Sequence, residues 1–150
     1  MTVDRSYNAR NDASRERLSA RLDDLTVDEL MTPVEGGWTV GGLLAHLAFW
    51  DRLVEQRWAL AAREGKTTPI GLEDELTDLI NDAAAPAWLA VNAARISGIV
   101  LEAAAAVDSV VAEVSDESVS GIEGEGRPRL LDRSRHRALH LDAIEGVLGH

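Results

Sequence analysis

The chain has 150 residues, no cysteine and a formal net charge of -11, from 26 acidic against 15 basic residues. That length predicts one domain, residues 1–150, with a full core; the missing thiols exclude disulfide frameworks, cysteine-rich zinc modules and a cysteine nucleophile, leaving histidine and carboxylate as metal ligands. An acidic surface repels phosphate backbones, so no nucleic-acid partner is expected. The opening residues, Met-Thr-Val-Asp-Arg-Ser, lack a signal-peptide pattern, and no run of about 18 apolar residues exists to cross a membrane. A cytoplasmic protein with no membrane partner is expected.

In chain order, the first helix is predicted from Val3 to Leu25, with Leu18, Leu22 and Leu25 at three-to-four spacing. The second begins at Thr39, a good N-cap after Gly36 and Gly37, and its apolar face runs through Val40, Leu43, Leu44, Leu47, Trp50, Val54 and Trp58 to a stop near Gly65. A long connection from Lys66 to Pro86 holds a short acidic helix around Glu73–Asp82. The third long helix, about Ala87 to Val114, carries Leu89, Ile96, Val100, Leu101, Val107 and Val111. Residues 115–128, with Gly121, Gly124 and Gly126, read as loop. The fourth helix, about Arg129 to Leu148, carries Leu141, Ile144, Val147 and Leu148. No segment shows the period-two alternation of a strand. Four long helices predict an all-α four-helix bundle, and the connection after the second is long enough that up-down-down-up and up-down-up-down are both open.

Three histidines continue the apolar stripes of these helices. His46 shares a face with Leu43 and Trp50, while His136 and His140 lead along the i+4 row into Ile144 and Leu148. Helical residues four apart lie on one face with Cβ atoms ~5–6 Å apart, so one ion can take both imidazoles of the pair. Three unpartnered imidazoles in an apolar bundle are costly, and a shared metal relieves that cost. Three histidines also leave a fourth position open, the mark of a catalytic zinc site. His150, after Gly149, is given no role.

Other candidates are weaker. Asp132 is a possible fourth ligand or orienting acceptor, though a solvated carboxylate at a helix start explains it better. Asp51 and Asp142 could orient an imidazole. Arg57 and Asn92 could face the cavity. Trp38, Trp50, Trp58 and Trp88 read as core, with Trp38 walling the pocket mouth. Gly65-Lys66-Thr67 lacks the glycine and strand of a phosphate loop, and residue 137 is Arg where a zincin glutamate would stand.

The stretches Gly37-Trp38-Thr39-Val40-Gly41-Gly42-Leu43-Leu44-Ala45-His46-Leu47-Ala48-Phe49-Trp50-Asp51 and His136-Arg137-Ala138-Leu139-His140-Leu141-Asp142-Ala143-Ile144 resemble the DinB-like superfamily, including its mycothiol-dependent maleylpyruvate isomerase N-terminal type. The resemblance implies a four-helix bundle, usually up-down-down-up. It also implies a divalent metal, zinc or nickel, held by His46, His136 and His140, and often a homodimer. Characterised members use the metal to activate a low-molecular-weight thiol such as mycothiol or bacillithiol. The implied function is therefore a metal-dependent thiol transferase, or a thiol-dependent isomerase or detoxification enzyme, acting on a small-molecule substrate. The cysteine-free chain suits this, because the nucleophile arrives with the co-substrate. Two alternatives stay open: a non-catalytic metal- or small-ligand-binding stress or resistance protein, and a dimeric bundle with a vestigial site.

Overall fold

A computed structural model describes residues 2–150. The described residues are all-helical apart from a two-residue ribbon. The helices are α1 (Tyr7–Asp24), α2 (Val27–Leu30), α3 (Val40–Arg63), α4 (Asp74–Leu89), α5 (Ala93–Glu113), α6 (Asp116–Glu125) and α7 (Ser134–Leu148), with a 3-10 turn at Pro128–Leu130. The ribbon pairs β1 (Pro33–Val34) antiparallel with β2 (Trp38–Thr39). None of these helices is long and apolar enough to cross a membrane.

Helices α1, α3, α5 and α7 form a bundle in which α3 and α1 each pack against both α5 and α7. The stripe read on the second helix is buried throughout: Val40, Leu43, Leu44, Leu47, Trp50, Val54 and Trp58 all lie in the core. Leu18 and Leu22 of α1, Ile96 and Val100 of α5, and Leu141 and Ile144 of α7 meet that stripe. Side chains also tie the elements rung by rung. Arg10 donates to Asp132, Arg17 to Asp142 and Arg21 to Glu145. Tyr7 donates to the Val111 carbonyl, Arg15 to Asp108, and Trp58 to the Leu130 carbonyl.

The first and fourth predicted helices begin later than expected, at Tyr7 rather than Val3 and at Ser134 rather than about Arg129, the latter after the 3-10 turn; three further departures are larger. The acidic helix expected over about 73–82 extends through Leu89 and contains Pro86. Proline removes the hydrogen bond to the carbonyl four residues back, but Pro86 and Asp82 are both exposed, so water can take that bond. The break comes instead at Asn92, whose Oδ1 accepts from Ala94 N at 2.9 Å; it caps α5 rather than lying within it. The segment expected to be loop at 115–128 forms α6. Ser115 caps it by accepting from Ser118 N, Asp116 and Glu117 fill its first turn, and Gly126 ends it at φ +65°. Val119 and Ile122, one turn apart, bury that helix against the Trp58 end of the core.

Two local features set up the site. Gly36 and Gly37, at φ +87° and +81°, turn the ribbon so that Trp38 lies over α3. Gly42, on the first turn of α3, lets Leu89 of α4 approach to where a Cβ would stand 2.8 Å from Leu89 Cδ2, which brings Trp88 beside His46.

Candidate metal centre

His46, on the second turn of α3, is 8% exposed. His136 and His140, on successive turns of α7, are partly buried. The three rings meet: His136 Nε2 lies 3.3 Å from His46 Nε2 and 2.9 Å from His140 Nε2. One nitrogen from each ring falls within 4.8 Å of the others. Tetrahedral ligands at ~2.0–2.1 Å from zinc would stand roughly 3.3 Å apart, so two of the three separations are close to that spacing and the cluster could hold a metal ion.

The protonation chemistry points the same way. Burial pushes His46 down to about 4, with His140 adding to the shift. Burial alone pushes His140 to about 4. His136 falls furthest, to about 2, first through burial and then through the cation of Arg133, with the neighbouring rings of His140 and His46 adding to the shift. All three rings are therefore neutral at physiological pH, each with one lone pair to give. A neutral imidazole can donate from only one nitrogen, and His136 Nε2 faces two others. His46 Nδ1 is buried without a partner. A cation accepting three lone pairs would resolve the crowding of Nε2 atoms.

Aromatic walls surround His46. Trp88, Trp38 and Trp50 lie at ring-centroid separations of 5.0, 5.4 and 6.4 Å, and Trp38 stacks on Trp88 at 5.5 Å. Trp50 donates from Nε1 to Asn81 Oδ1 at 2.8 Å, fastening α4 to α3. Beyond the rings opens a cleft of about 710 Å³, lined by the three histidines, Trp50, Arg57 and Arg133 among others.

The remaining sequence candidates fall elsewhere. Asp132 accepts from Arg10 and from Ser134 N, a helix-start carboxylate and not a ligand. Asp142 pairs with Arg17 at the surface, and His150 pairs with Glu29. Asn92 caps α5 and does not line the cleft, whereas Arg57 does. Asp51 touches no imidazole; it binds two arginines.

Those arginines belong to a network that sequence reasoning missed. Arg137, 0% exposed, donates through both terminal nitrogens to Asp108 at 2.8 and 2.9 Å and to Asp51 at 3.2 Å. Arg133 donates to Asp51 Oδ1 at 2.9 Å and to the Arg129 carbonyl, and its Nη2 lies 3.4 Å from His136 Nδ1. A signal was present. Arg137 stands four residues before Leu141, Asp51 four after Leu47, and Asp108 four after Ala104, so each charge sits on a core stripe, where only a paired charge is tolerated.

An all-helical bundle with three convergent histidines at a cleft defines a class of protein able to take a metal ion among its helices. The chain matches the family model described as DinB superfamily over residues 10–142 and belongs to that superfamily. No curated protein and no solved structure matches it.

Proposed function

We propose that the protein is a metal-dependent enzyme that transfers, or isomerises with the help of, a low-molecular-weight thiol such as mycothiol or bacillithiol. The convergence of three neutral imidazoles at the mouth of a cleft carries this reading, and membership of the DinB superfamily supports it. His46, His136 and His140 would hold a divalent ion, zinc or nickel, through their Nε2 atoms. When bound, such an ion supplies Lewis acidity that favours the thiolate of a thiol at its open position.

The chain's own residues do the rest. With no cysteine, it leaves the sulfur nucleophile to the co-substrate. Trp38 and Trp88 close the apolar side of His46 and keep water from its ring. The cleft on the other side has room for a thiol and an electrophile together. Asp51 holds Arg133, and thereby the first turn of α7, in register with α3. The paired rungs of the bundle also support an up-down-down-up order. Rungs 10–132, 17–142 and 21–145 run in step, while 7–111 with 15–108, and 51–137 with 58–130, run in opposite senses.

The test is metal analysis of protein purified without a histidine tag, followed by a screen of electrophiles with several thiols, with and without chelator. His46→Ala is expected to lose metal and the thiol-dependent rate together. A rate that survives this substitution rejects the reading.

A further inference from the structure

The cleft beside the histidines inverts the charge of the molecule. The chain carries 26 acidic and 15 basic residues, yet the cleft is lined by Arg57, Arg127, Arg129 and Arg133 with Asp74 as its single carboxylate. The other sizeable cleft, about 380 Å³, shares Arg129 with this one and sets it, Arg10 and Arg135 against Asp4, Glu123 and Asp132.

Not all four guanidiniums are free. Arg127 is paired with Glu125 and also donates to the Pro69 carbonyl. Arg133 is committed to Asp51. Arg57 and Arg129 differ. Among the described residues neither has a carboxylate within salt-bridge distance. The side chain of Arg57 donates only to the Ile70 carbonyl, at 2.6 Å, and its Nε is buried without a partner. Burial, then repulsion from Arg127 and Arg133, lowers the pKa of Arg57. Holding an uncompensated, half-buried guanidinium beside other cations is unfavourable. A bound anion would remove that penalty, and the planar fork of guanidinium suits the two oxygens of a carboxylate or phosphate.

We propose that Arg57 and Arg129 form an oxyanion-binding subsite in the histidine cleft, so that the substrate or co-substrate carries a carboxylate or phosphate group. The inference rests on this cleft being the substrate site, but not on the identity or presence of a metal. In a strongly acidic protein such a subsite also acts at a distance, since a local positive potential inside low-dielectric walls concentrates anions there.

The experiment uses the full-length protein, stripped with chelator and dialysed, so that no metal can bind the probe. Succinate, inorganic phosphate and the uncharged succinamide are titrated calorimetrically at constant ionic strength. Saturable binding is expected for succinate or phosphate, the stronger of the two naming the oxyanion, and none for succinamide. Arg57→Gln and Arg129→Gln should each weaken that binding by about tenfold, the loss of one charged hydrogen-bonding group. Arg57→Lys keeps the charge but loses the planar fork, so its binding should fall between that of the unaltered protein and Arg57→Gln; should Arg57→Gln fail to fold, Arg129→Gln, at an exposed residue, carries the test. Arg95→Gln, exposed on α5 outside the cleft, should change nothing. The proposal is overturned if neither anion saturates, if succinamide binds as well as succinate, or if Arg95→Gln weakens binding as much as Arg129→Gln. Because the protein is metal-free throughout, a failed metal assignment leaves these results standing. A failed anion titration likewise leaves metal retention untouched.

Discussion

Two polar regions lie on neighbouring faces of α7, centred on the consecutive residues His136 and Arg137, and they are built on opposite terms. Around Arg137 the charges alternate: its guanidinium lies between Asp51 and Asp108, with the Asn11 and Ala104 carbonyls and Ser14 Oγ also within 3.4 Å of its terminal nitrogens. Of its nitrogens only Nε lacks an acceptor. Around His136 there is no alternation. Three neutral rings turn the same kind of atom toward one point, and the nearest charge is the cation of Arg133. The first region is complete as folded and locks α1, α3, α5 and α7 together. The second leaves three ring nitrogens crowded together, an arrangement that a bound metal ion would complete.

Breaking the complete region should cost most. Arg137→Ala leaves the buried carboxylates Asp51 and Asp108 with one arginine each, Arg133 and Arg15, so the cost should fall at the low end of the about 3–5 kcal/mol typical when a buried ion pair loses one partner. Urea denaturation of the chelated protein should register a loss of that order; a loss below about 1 kcal/mol would mean that the network contributes little. His46→Ala should cost less in the same assay, because the histidines lack mutual compensation. Its larger effect should appear with zinc. The unaltered protein should gain about 2.7 kcal/mol at a free ion concentration one hundred times the dissociation constant, a gain the variant lacks.

Acid should sharpen the contrast. Each ring has a folded pKa below its unfolded value of 6.5. Below pH 6.5 the unfolded chain therefore binds protons that the fold refuses. Stability of the chelated protein should be full above that pH and fall towards pH 4, by at most about 1.4 kcal/mol per unit for each ring. His46→Ala should flatten the slope, and an unchanged slope would place the titration elsewhere. The smallest effect expected is at the boundary of the two regions. When His136 Nε2 ligates, its Nδ1 must carry the proton, and there it faces another donor, Arg133 Nη2. Arg133→Gln offers an amide oxygen instead and removes a cation, so zinc should bind more tightly, by up to about tenfold, while the fold loses the Asp51 pair. Weaker zinc binding would show that Arg133 helps the site rather than opposing it.

What the sequence made legible follows from periodicity. The stripe from Val40 to Trp58 and the i+4 pair His136 and His140 announce themselves because helical spacing is local, and His46 could join them because it lies on a core stripe. The helix at Asp116–Glu125 was hidden by Gly121 and Gly124, whose poor helix propensity is outweighed by the Ser115 cap and two buried aliphatic residues. Asn92 looked like an interior residue because Pro86 offered a more obvious break. The Arg137 network depends on Asp51 and Asp108, from two other helices, and such a partnership leaves no trace in any one segment beyond a misplaced charge.

The rings that wall His46 have one more consequence. Three of the chain's four tryptophans, Trp38, Trp50 and Trp88, stand within 6.4 Å of that imidazole by ring centroid. Three of the molecule's four indole fluorophores therefore stand beside a single side chain. Occupancy of this corner should be readable from the intrinsic fluorescence of the untouched protein, without a dye, a label or a coloured substitute ion.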